Sequence, residues 1–103
     1  MEENIAKEYE TLQQQLRSIL IQKEALQIQI AEIENALEEI KNVKDEEIYK
    51  VVGSIMVKKK KEEVQKELEE NKEDFELRVK SLENVEKNLI ERIKKIEEKI
   101  KGG

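Results

Sequence analysis

The chain has 103 residues and a net charge of −5, with 44% charged and only 3% aromatic residues and with no cysteine, histidine, proline or tryptophan. That composition excludes a sizeable globular core, thiolate and imidazole chemistry, disulfides and the usual zinc ligands, so no catalytic residue, cofactor or metal is expected. The acidic balance disfavours nucleic acid as a partner, no apolar run approaches the roughly 20 residues a membrane span needs, and the acidic start Met1-Glu2-Glu3-Asn4 is unlike a signal peptide; a soluble cytoplasmic chain is expected.

The first predicted element is a helix over residues 1–44. Ile5, Leu12, Ile19, Leu26, Ile33 and Ile40 recur every seven residues at one core position, and Tyr9, Leu16, Lys23, Ile30 and Leu37 at the other. Two core residues per heptad make the narrow seam of a coiled coil rather than the broad stripe of a globular helix. From Ile5 to Ile40 such a helix rises roughly 54 Å at about 1.5 Å per residue. An elongated object is therefore expected.

The heptad fails after Val43, where Asn42 and Lys44-Asp45 interrupt it. Ile48-Tyr49-Lys50-Val51-Val52, Gly53-Ser54 and Ile55-Met56-Val57 follow, two β-forming runs around a turn pair, which predicts a β-hairpin over 47–58. Gly at the first turn position suits a type II′ turn. Read with period two, Ile48, Lys50 and Val52 share one side, Tyr49 and Val51 the other, and Ile55 and Val57 oppose Met56. Both faces are largely apolar, as in a strand covered on two sides. Two strands alone are marginal in water and leave two unpaired edges, so several hairpins are expected to meet edge to edge. The alternative is a hairpin folded down as a cap on its own coiled coil. Lys58-Lys59-Lys60-Lys61, followed by Glu62-Glu63, reads as a solvated shoulder where the next helix begins.

A second helix is predicted over 61–101, with Leu68, Phe75, Leu82, Leu89 and Ile96 at one core position and Lys72, Val79, Glu86, Ile93 and Ile100 at the other. The two seams mirror each other about Gly53. Facing residue numbers have a constant sum, so Tyr9 faces Ile96, Leu16 faces Leu89, Ile30 faces Phe75 and Leu12 faces Ile93, as in an antiparallel pair. Registers one heptad away would put the reversal near Tyr49 or Met56, inside an apolar run without a turn residue. Charged residues at Lys23, Lys72 and Glu86 should snorkel or pair, and an interhelical ion pair between Lys23 and Glu86 is expected, since Lys23 faces Leu82 and Glu86 faces Ile19 in the next layer. At the end holding both termini, Ile5, Ala6, Tyr9, Leu12, Ile93, Ile96 and Ile100 gather. Taken singly, each of these residues is expected simply to close the seam; as a group, fraying there would expose exchangeable apolar surface able to hold another protein's hydrophobic segments.

The segment Ile48-Tyr49-Lys50-Val51-Val52-Gly53 with Ile55-Met56-Val57-Lys58, the stretch Gln13-Gln14-Gln15-Leu16 and Ala36-Leu37-Glu38-Glu39-Ile40 closely resemble the β-class subunit of prefoldin, and the resemblance runs over essentially the whole chain. One hairpin points to the β class, since α-class subunits carry two, and the Lys, Glu and Ile richness without Pro looks archaeal. The resemblance implies a mainly α fold: one unit, 1–103, with a long antiparallel two-helix coiled coil joined by one β-hairpin that assembles into an intersubunit β-barrel. It implies an ATP-independent chaperone, a holdase and not an enzyme, in which two α and four β subunits join. Client proteins in non-native states are held at the coiled-coil ends and passed to a group II chaperonin. Carried over by position, assembly would fall to Ile48, Tyr49, Val51, Val52, Gly53, Ile55, Met56 and Val57. Client contact would fall to Ile5, Ala6, Tyr9, Leu12, Ile93, Ile96 and Ile100. The competing reading is a coiled-coil spacer or adaptor that docks through its β-tip on one fixed partner. A nucleic-acid clamp built on Lys58 to Lys61 is a further outsider.

Overall fold

The computed structural model describes residues 2–102, the side chain of Glu2 excepted, so residues 1 and 103 of the expected unit lie outside the described part. Four elements follow one another: helix α1 (Glu2–Lys41), strands β1 (Glu47–Val52) and β2 (Ile55–Lys60), and helix α2 (Lys61–Gly102).

Helix α1 is built from strong helix formers, Leu, Gln, Glu, Lys and Ala, with no glycine or proline to interrupt it. It ends at Lys41 rather than at residue 44. Its last turn tightens there, the N–H groups of Asn42 and Val43 donating to the carbonyls of Glu39 and Ile40 at 3.1 Å each, three residues back instead of four. The Lys61 Nζ then donates to the Val43 carbonyl at 2.6 Å, satisfying an acceptor beyond the helix end.

The hairpin pairs antiparallel from Val52 opposite Ile55 outward to Glu47 opposite Lys60. Gly53 adopts φ +60° and is the only described residue with positive φ, so the turn has the II′ pattern, with a positive φ at its first residue only. The second strand runs to Lys60, two residues beyond the expected end. A two-residue turn fixes the register, and that register lays Lys59 and Lys60 against Ile48 and Glu47. The ladder is prolonged by the Lys61 N–H, which donates to the Glu46 carbonyl at 2.7 Å. Three of the four consecutive lysines are thus strand residues, and only Lys61 begins a helix, which corrects the reading of the run as a helical shoulder. Helix α2 starts without a linker; Glu62 and Glu63 in its first turn and Lys99 and Lys101 in its last suit the helix dipole.

The chain divides into two compact units. The first comprises residues up to Leu26 and from Leu77 onward, the second residues 27–76. In the first unit Leu12, Leu89, Ile93 and Ile96 form the buried core, with Ile5, Tyr9, Leu16 and Ile19 packed against it. These are the residues the mirrored heptads bring together. In the second unit the buried apolar residue is Val64, in the first turns of α2.

Candidate functional site

Two regions carry the expected functional residues. In the second unit, cross-strand partners share a face, so the hairpin has one face made of Glu47, Tyr49, Val51, Met56, Lys58 and Lys60 and another made of Ile48, Lys50, Val52, Ile55, Val57 and Lys59. The first of these is open: Tyr49, Val51 and Met56 are 64%, 68% and 70% exposed. At its base Lys58 pairs with Glu47 at 2.9 Å.

The other face is treated differently by the chain. Ile48, Val57 and Lys59 are half-buried, while Val52 and Ile55 at the turn are exposed. Lys50 and Lys59 lie diagonally across the two strands and both reach Glu67 of α2, Lys50 donating to Oε2 at 3.0 Å and Lys59 to Oε1 at 3.1 Å. The Lys50 ammonium, and after it that of Lys59, hold the Glu67 carboxyl below the usual carboxylate range. Of the eight residues expected to mediate assembly, Ile48 and Val57 are therefore partly covered within the chain, and Tyr49, Val51, Val52, Gly53, Ile55 and Met56 are exposed. The partial cover belongs to the base of one face only, so the hairpin is not a closed cap.

In the first unit, the residues expected to meet clients mostly form the seam itself. Leu12, Ile93 and Ile96 are buried, Ile5 and Tyr9 are half-buried, and only Ala6 and Ile100, the latter 55% exposed, present surface. The seam's innermost polar layer in this unit is the ion pair of Lys23 Nζ with Glu86 Oε1 at 2.7 Å, the two side chains being 19% and 21% exposed. Its position is the one the facing register demands. The hydrogen bond to Glu86 holds Lys23 above the ordinary lysine range, against the opposing effect of partial burial. The third charged seam residue, Lys72 in the second unit, points to Glu34 at 3.7 Å and to Glu76, one turn on, at 3.9 Å.

Two features escape the heptad reading. Glu67 sits beside Leu68 on the flank of the α2 seam, where nothing in the period marks it, although two lysines on one hairpin face call for an acid nearby. Apolar residues also lie off the seam and exposed: Leu20, Ile21, Leu77 and Val85 in the first unit and Ile28 in the second. Ile21 and Ile28 are seven apart, which is a signal of one helix face outside the seam. Among the described residues no cluster of acids or histidines fit to hold a metal ion is present, and no helix is long and apolar enough to cross a membrane.

The sequence matches the family described as prefoldin subunit over residues 3–102. It is similar to the prefoldin subunit beta of Archaeoglobus fulgidus, 41% identical over 101 residues, covering 97% of this chain and 87% of that protein. It is also similar to the prefoldin subunit beta of Thermococcus onnurineus, 41% identical over 92 residues, covering 88% of this chain and 79% of that one. Among solved structures, the prefoldin beta subunit from Thermococcus strain KS-1 superposes with a TM-score of 0.90 at 35% identity, over 97% of this chain and 89% of that chain. The beta2 subunit from the same strain gives 0.78 at 26% identity, over 92% and 99%.

Proposed function

This chain belongs to the prefoldin family of chaperone subunits, and we propose that it acts as a β-class subunit that holds non-native proteins without nucleotide and delivers them to a group II chaperonin. Its work is binding, not catalysis. The observation that carries the reading is the hairpin face of Tyr49, Val51 and Met56, apolar, exposed and flanked by strand edges. Exposed strand edges with an apolar face are a template for pairing with further strands. The hairpin thus joins those of other prefoldin subunits in a β-barrel, with α-class subunits completing a complex of two α and four β chains.

Clients are held at the end where both termini lie. In the folded state Ile100, Ala6, Leu20, Ile21, Leu77 and Val85 offer surface in that unit. Leu12, Ile93, Ile96, Ile5 and Tyr9 become available only as the helix ends part, and helix ends are the least stable part of such a seam. Opening there exchanges one apolar partner for another, which needs no fuel. The test is light scattering from a heat-unfolded enzyme such as citrate synthase, mixed with the assembled complex in the absence of nucleotide. Suppressed aggregation that is lost when residues 1–12 and 93–103 are removed, with assembly intact, is the expected result. Full activity after that truncation would contradict the assignment of the client surface.

A further inference from the structure

Lys50 and Lys59 are diagonal neighbours on one hairpin face, and like charges so placed repel each other. A single carboxylate resolves the repulsion, each oxygen of Glu67 taking one ammonium, from a helix rather than from the sheet. The three residues tie both strands of the hairpin to α2 at one point. All three remain partly exposed, with side-chain exposures of 43%, 31% and 43% for Lys50, Lys59 and Glu67, so the cluster adds little to fold stability, as exposed ion pairs generally do. What two bonds from separate strands to one side chain do provide is orientation. The Lys61 bonds to the Glu46 and Val43 carbonyls lie at the Lys60–Lys61 junction itself, and a hairpin held there alone could pivot and offer either face.

We propose that Glu67 is a positioning residue for assembly: by clamping Lys50 and Lys59 it turns the Ile48–Val57 face of the hairpin toward α2 and leaves the Tyr49–Val51–Met56 face as the one offered to a neighbouring subunit's strands. This role rests on the reading that the hairpin assembles. It assigns the bases of the two faces different tasks: Ile48 and Val57 are kept by the chain, while Val52 and Ile55 at the turn stay exposed together with the open face.

The chain has no cysteine, so spin labels can be placed at will. Ser54→Cys at the turn and Glu70→Cys on α2 report the hairpin's orientation by electron double resonance in the full-length chain, diluted with unlabelled chain so that only intramolecular distances register. E67Q should broaden the distance distribution and weaken assembly with the α-class partner, read by native mass spectrometry, by about 10-fold, with the helical circular dichroism unchanged. The charge-exchanged variant K50E/K59E/E67K should restore both the narrow distribution and assembly. An unchanged distribution in E67Q, or a broadened one with undiminished assembly, would overturn the proposal. Failure of the unsubstituted chain to assemble would instead overturn the reading beneath it, and the two failures are told apart by the E67Q distances.

Discussion

The two units of the chain settle their apolar residues in opposite ways. The unit with the termini closes a seam on itself, Leu12, Leu89, Ile93 and Ile96 buried and their neighbours packed around them. The hairpin unit leaves Tyr49, Val51, Val52, Ile55 and Met56 in water and orders itself with ion pairs, Glu67 to Lys50 and Lys59, Glu47 to Lys58, Lys72 to Glu34. In the first unit these apolar side chains are satisfied within the chain, and those of the hairpin remain in water. Apolar side chains at seam spacing find a partner within the chain, whereas those at strand spacing, on a lone two-stranded sheet, have none to find.

The sharpest way to break the contrast is to put charge on the open face. Val51→Glu with Met56→Glu would bury unpaired carboxylates at a subunit contact, at about 3–5 kcal/mol where a charge loses its partner. Assembly measured by native mass spectrometry should fall by about 100-fold or more, while the helical circular dichroism of the chain stays as it was. In the other unit, Leu12→Ala removes the most buried side chain, 2% exposed, and should cost about 2–5 kcal/mol in urea unfolding while leaving hairpin assembly intact. Gly53→Ala meets no atom within 4 Å, so its cost is the left-handed backbone alone, about 1–2 kcal/mol, seen as fraying of the hairpin by amide exchange.

The smallest effect is expected at the polar layer. Replacing both Lys23 and Glu86 by Leu should raise the thermal midpoint by a few degrees, because an apolar layer needs no desolvated charge, and should loosen the register the pair enforces. The pair also carries a pH signature. Lys23 is held above its ordinary range in the folded state, so its contribution is fully present at neutral pH and is lost as pH rises through that raised value. A fall of the midpoint in strong alkali that is steeper than in the double Leu variant, which keeps the other lysine pairs, is the measurement that checks this.

Much of this fold is legible in the sequence because a heptad read in two directions contains its own register. The mirrored numbering leads to the facing of Leu12 with Ile93 and to the Lys23–Glu86 pair, both without reference to any structure. The hairpin turn is equally plain, since Gly53 alone among the residues there takes positive φ without strain. The length of the second strand is not plain. Lysines carry no β signal, and Lys59 and Lys60 are strand residues only because Ile48 and Glu47 stand opposite them. Glu67 is hidden for a related reason. Its role depends on where a strand face lies over a helix flank, a relation between elements that no periodicity within either one encodes. Nor does spacing tell that Ile100 stays open while Ile96, four residues earlier, is buried, for the last layer of a seam has a neighbour on one side only.

Completion of the open hairpin face by other prefoldin subunits is open to a direct check, the native mass of the complex this chain forms. Six subunits are expected, four of this chain and two of a longer α-class partner, with dissociation of that complex by Val51→Glu with Met56→Glu. A chain that stays alone, or that pairs with one unrelated protein, would contradict it and favour the spacer reading.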